Sequence, residues 1–145
     1  MRHSVAGRAT VVGTNVRAIA SVFSVASVGF KLRECGVFNT TATAVAVALA
    51  RFTAATNVGT GLTEADYDAA NPTAVTAFAG HTGDGTVGQV FRQASLGGAV
   101  GSGVIWTFGD AGVFVPAVAG TTSGVGVVVE NGTGQIAQAY IVWDE

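Results

Sequence analysis

Few residues in this 145-residue chain could perform covalent or acid–base chemistry. Cys35 is the sole cysteine, and His3 and His81 are the sole histidines. A cysteine nucleophile needs a base within reach to form its thiolate, and only these two histidines could serve. Cys35 falls within the apolar run Phe30–Phe38, where the expected state is a buried, inert thiol. A lone cysteine also excludes an intramolecular disulfide. His81 and Asp84 share a glycine-rich stretch, but no serine or cysteine stands at a spacing that a nucleophile elbow uses. His81 is expected to be a solvated loop histidine. Glu64, Asp66 and Asp68 place three carboxylates within five residues, a grouping that hard cations favour. The glycine and distal glutamate of an EF-hand loop are missing, so the expected role is the solvated start of a capped helix. Glycine is abundant, yet neither GxxxxGK(S/T) nor a strand-led GxGxxG occurs. Trp106, Phe108, Phe114 and Trp143 could form a stacking platform, although aromatics on strands more often pack a core or an interface. No catalytic, cofactor or metal site is expected, and the chain is not expected to be an enzyme.

The elements that would carry these residues read as strands. Phe30–Phe38 is strand-like, Asn39-Thr40-Thr41 is a turn, and Ala44–Phe52 alternates strictly. Val45, Val47 and Leu49 share one face of it, and Ala44, Ala46, Ala48 and Ala50 share the other. A period of two argues for a strand over an alanine-rich helix, and two apolar faces argue for burial on both sides. Further strands are expected at 87–94, 103–108, 112–115, 125–130 and 135–143, separated by Gly97-Gly98, Gly109-Asp110, Gly120-Thr121-Thr122 and Asn131-Gly132. Short strands with turns every 8–12 residues indicate a β-sandwich or small jelly-roll-like barrel. Residues 18–28 fit a helical face or alternation, and their β-branched content favours a strand. Residues 53–85 are expected to be a long loop region with two short helices, one capped by Thr63 with Asp66 three residues on, the other running from Pro72 to Phe78 behind Asn71. Residues 1–17 form a basic segment with an apolar patch at Val11-Val12, either a first strand or an extended arm, ahead of a single β domain spanning 18–145.

Composition points to burial in an assembly. Charged residues make up 11% of the chain, against roughly 25% in typical soluble proteins, and mean hydropathy is +0.50. An isolated domain covers itself poorly with so few charges, and contact with other subunits relieves this. Charge is also uneven along the chain. Residues 1–33 hold Arg2, Arg8, Arg17, Lys31 and Arg33 and no acid, whereas residues 34–145 hold nine acids against Arg51 and Arg92. Blocks of opposite sign suit head-to-tail contact or docking on a charged partner. Five cations over 33 residues are too sparse for a nucleic-acid arm. Arg2, Arg8 and Arg17 ahead of Ala18–Val28 have some likeness to a signal peptide, but Ser21, Ser24 and Ser27 interrupt that stretch. No run approaches the roughly 18 apolar residues of a spanning helix. The chain is expected to be soluble and made in the cytoplasm.

The stretch FKLRECGVFNTTATAVAVALARF (Phe30–Phe52), with SGVIWTFGD (Ser102–Asp110) and GTGQIAQAYIVWDE (Gly132–Glu145), resembles small structural proteins of tailed bacteriophages. Among these, the size and strand-rich pattern are most like capsid decoration (cement) proteins. The resemblance implies a homotrimer on the outer capsid surface, bound to the major capsid protein, with no cofactor, membrane or direct nucleic-acid contact. Arg2, Arg8 and Arg17 are then the candidate capsid contacts, and Val45, Val47, Leu49, Tyr140 and Trp143 the candidate subunit-interface residues. Deleting residues 1–17 is expected to weaken capsid binding and leave the oligomer intact. Two rivals are a minor tail or baseplate component and a host-surface or carbohydrate-binding β-sandwich, the latter requiring Trp106 or Trp143 to be exposed.

Overall fold

The chain alternates between residues that must be hidden and residues that tolerate water with a period of two, and every pairing that satisfies this pattern is antiparallel. The computed structural model describes the backbone of all 145 residues and the side chains of all but Val11, Val12 and Thr133. The expected apolar patch at Val11-Val12 therefore lies outside the described side chains. Twelve strands form: β1 (Arg2–Val12), β2 (Ala18–Phe23), β3 (Phe30–Asn39), β4 (Val45–Ala54), β5 (Thr60–Gly61), β6 (Ala65–Asp66), β7 (Thr76–Ala79), β8 (Thr86–Leu96), β9 (Gly103–Thr107), β10 (Val113–Val115), β11 (Gly124–Asn131) and β12 (Thr133–Asp144). They build a sandwich of two six-stranded sheets. Sheet A runs β10-β3-β12-β1-β6, with β9 also paired to β3, and sheet B runs β5-β7-β2-β11-β4-β8. The seven strands expected from Phe30 onward, outside the 53–85 region, are all present with ends shifted by one or two residues. The Asn39 turn forms as the residue type dictates: Asn39 Oδ1 accepts the Thr41 amide at 3.0 Å.

The main core lies between the sheets. Sheet B contributes Val45, Val47 and Leu49 from β4 and Val125, Val127 and Val129 from β11. Sheet A contributes Leu32, Cys35 and Val37 from β3 and Ile141 and Trp143 from β12. A second, smaller cluster covers the other side of sheet B, where Ala48, Ala50 and Phe52 meet Ala18, Phe23 and Val128 under Val58, Phe78 and Val87. Both faces of β4 are thus buried, as alternation predicts, but by the same chain. The 80–85 loop is stitched across sheet B by amide bonds from Gly80 to Ile19 and from His81 to Ala18.

Three expectations change. There is no helix among the described residues, and so none long and apolar enough to cross a membrane. The segment expected to be helical instead adds the short strands β6 and β7, because its carboxylates satisfy extended backbone: Glu64 accepts the Ala77 amide at 3.0 Å and Asp66 the Thr73 amide at 3.1 Å. Nor is the basic segment an arm. β1 lies inside sheet A, paired with β12 from Arg2↔Asp144 through Thr10↔Ile136 and with β6 at His3↔Asp66. Val45, Val47, Leu49 and Trp143 are at most 3% exposed. They belong to the core and are not available to another subunit; of the five candidates only Tyr140 reaches the surface.

Deleting residues 1–17 therefore removes an internal strand and the buried Val5 and His3. The expected loss is on the order of the whole ~5–15 kcal/mol that holds a domain of this kind together. Circular-dichroism melting should show no cooperative transition in the truncated chain; an unshifted melt would mean that β1 is dispensable.

Candidate functional site

The residues flagged for chemistry are spent on structure. His3 is buried, its Nδ1 lies 2.7 Å from Asp66 Oδ1, and its ring packs on Trp143 with centroids 5.9 Å apart. The three acids of the 64–68 cluster diverge. Glu64 holds β7, Asp66 bridges His3 and the Thr73 amide, and Asp68 accepts the Ala70 amide and the Asn71 side chain. No group of three or more potential metal ligands converges among the described residues. Cys35 is fully buried, and burial pushes its thiol pKa far up.

His81 corrects the expectation of a solvated loop histidine. It is 5% exposed, packed against Phe23 and Phe52, and its Nε2 lies 2.7 Å from the Oγ of the fully buried Ser21. Its Nδ1 has no partner among the described residues. The bond to Ser21 is the sole polar contact of the ring among the described residues. No carboxylate stands behind Nδ1 to orient the ring and Ser21 is fully buried, so the pair ties the 80–85 loop to β2 and lacks the arrangement of a catalytic triad. Burial lowers the His81 pKa from 6.5 to about 4.

Three of the five cations in residues 1–33 form ion pairs inside the fold. Because β1 runs antiparallel to β12, Arg2 meets Asp144 at 2.9 Å, and Arg33 on β3 reaches the other oxygen of the same carboxylate at 2.6 Å. The Arg2 hydrogen bond, with help from Arg33, outweighs desolvation and holds Asp144 below the usual carboxylate range. Arg17 pairs with Asp84 at 2.7 Å. Burial alone would raise the Glu145 pKa, but hydrogen bonds from Thr73, the Ala74 and Val75 amides and Trp143 lower it on balance. Of the three candidate capsid-contact arginines, two are in internal ion pairs, and Arg8 bonds Gln138 Oε1 at 2.9 Å.

Two surface features remain. One is the outer face of sheet A. Trp106 and Trp143 are 8% and 0% exposed, so they pack the core, as expected of aromatics on strands, and the exposed tryptophan that the carbohydrate-binding rival required is missing. Phe38 and Tyr140 are half-buried on this face instead. Their rings lie within 19° of parallel, with centroids 6.4 Å apart, and the Tyr140 hydroxyl donates to Glu34 at 2.6 Å. A shallow cleft of about 350 Å³ lies beside them. The signal for this pair in the sequence is Gly36 and Gly103 inside strands, since a strand glycine marks a close approach.

The second feature is the open edge of sheet B at β8. This strand is 11 residues long, pairs only with β4, and is exposed over most of its length. Bulges bend its first half, but from Arg92 to Leu96 the ladder is regular. Its sole charge, Arg92, is folded back over the Phe108 ring at 5.0 Å. β8, the turn after it and β9 leave Val90, Val100 and Ile105 48%, 71% and 53% exposed.

The His81 arrangement has a pH signature. The unfolded chain protonates this histidine near 6.5 and the folded chain only near 4, so its contribution is intact above about pH 6.5 and is lost as pH falls toward 4. Stability should drop by on the order of 2–3 kcal/mol across that window. In urea titrations His81→Gln should flatten this dependence, and an identical slope in the variant would locate it elsewhere. No protein-family model, no curated protein and no solved structure matches the chain.

Proposed function

We propose that the chain is a structural subunit of a larger assembly, a capsid decoration (cement) protein that works as a homo-oligomer on the outer head shell of a tailed phage. The observation that carries the assembly reading is β8. A long open edge presents unpaired amides and carbonyls to any passing strand, and proteins that live alone guard such edges with charged side chains, proline, bulges or a covering loop. From Arg92 to Leu96 the ladder has no bulge or proline, its one charged side chain is folded over Phe108, and the exposed Val90 stands beside it. Pairing β8 with a strand of another subunit satisfies the edge and covers Val90. The low charge content favours the same outcome.

The titratable groups are consistent with this reading. Histidines, most acids and five of the six arginines hold strands and loops to one another and converge on no reactive centre among the described residues. The kind of assembly follows from the resemblance of Phe30–Phe52, Ser102–Asp110 and Gly132–Glu145 to tailed-phage structural proteins. On this reading the partners are other copies of the chain and the major capsid protein, and the location is the virion surface.

Purified protein should co-sediment with expanded, undecorated heads. Val90→Lys places a charge on the exposed edge at little cost to folding, within about 0.5 kcal/mol, and should sharply reduce co-sedimentation. Binding to isolated tails in place of heads would move the protein to the tail or baseplate, and binding to neither would remove the phage reading.

A further inference from the structure

The register of sheet A lays out its outer face as a grid. One row runs Ile105, Gly36, Tyr140, Ala6 across β9, β3, β12 and β1; the next runs Gly103, Phe38, Gln138, Arg8; on the other side runs Thr107, Glu34, Val142, Ser4. Each aromatic therefore faces a glycine across the ladder. A Cβ on Gly36 would fall 2.2 Å from the Tyr140 ring, and one on Gly103 would fall 2.2 Å from the Phe38 ring. Both rings can lie down on the sheet only because those positions lack side chains. With both rings on the sheet and within 19° of parallel, their 6.4 Å separation is lateral. They tile side by side, each with one face on backbone and the other toward solvent.

We infer that this face binds a neutral polysaccharide chain. A pyranose ring has a flat face of C–H groups and a rim of hydroxyls, so it needs a flat apolar surface edged by mixed donors and acceptors. The tiled rings supply the surface. Arg8 and the Gln138 amide supply donors on one side, and Glu34 supplies acceptors on the other. The site is preorganised: the Tyr140 hydroxyl is held by Glu34 and the Gln138 carbonyl oxygen by Arg8, so little side-chain freedom is lost on binding. Ala6 keeps the floor low next to Tyr140, and the cleft of about 350 Å³ lies at the small end of ligand-sized clefts, roughly 300–1,000 Å³. The grid holds one cation and one anion, which suits an uncharged ligand; a phosphate backbone would require a basic groove. This inference is independent of the assembly reading, because β8 lies in the other sheet.

Saturation-transfer NMR on the full chain with linear hexasaccharides of glucose, mannose, galactose and N-acetylglucosamine tests it. Transfer to ring protons of at least one of these sugars is expected. Phe38→Ala and Tyr140→Ala should each weaken that binding about tenfold, in line with the loss of one stacked ring. Arg8→Ala, at an exposed position, should weaken it severalfold with an unchanged melting temperature, which keeps the test valid if an aromatic variant fails to fold. The inference is overturned if no hexasaccharide receives transfer, if binding persists undiminished in folded Phe38→Ala, or if only an oligothymidylate binds. It is also overturned if Tyr140→Ala changes the oligomeric mass and leaves every sugar signal as it was, since the face would then be a subunit contact.

Discussion

The antiparallel pairing of the first long strand with the last is the constraint on which the rest of sheet A depends. β12 is flanked by β1 and β3, so the chain cannot complete its sheet until its two ends have met. The same pairing decides the electrostatics. An antiparallel register sets Arg2 opposite Asp144, the one acid of β12, and that carboxylate then draws in Arg33 from the next strand. A part-buried carboxylate shared by two guanidiniums gains more than an exposed pair, because screening is weaker and both oxygens are satisfied. Three of the five cations in residues 1–33 are thus committed to contacts inside the chain.

The strands from Phe30 onward were legible because alternation and turn glycines are local signals. Burial itself was also legible: Val45, Val47 and Leu49 were correctly read as hidden. What covers them was not, since periodicity reports that a face is apolar and says nothing of whether sheet A or a neighbouring subunit lies over it. The 53–85 region misled for a related reason. Thr63, Asp66 and Pro72 are helix-start residues at close range, but the amides of Thr73 and Ala77 lie near enough to take the carboxylates, and that competition depends on tertiary position. His81 looked solvated amid glycine and threonine, and only the fold places Phe23, Phe52 and Ser21 around it.

Glycine opposite an aromatic ring recurs on both sides of the sandwich. Gly124 faces Phe23 on β2 and Phe52 on β4, and it makes room for the Phe23 ring beneath the 80–85 loop. Gly36 and Gly103 do the same for Tyr140 and Phe38 on sheet A. The chain covers the first set and leaves the second to solvent. Identical local chemistry therefore yields core on one face and a candidate binding surface on the other, according to whether a loop passes over it. For the candidate site, the glycines were visible in the sequence, but their aromatic partners needed the register.

The proposed assembly rests on a fold whose reactive groups hold strands together and whose β8 edge is left open. Sedimentation velocity of the full chain at low micromolar concentration measures this directly. The account predicts a discrete species heavier than the 14.4 kDa chain, reverting to the monomer mass when Val90 is replaced by lysine. A wild-type chain that sediments as a single monomer across that range would contradict it.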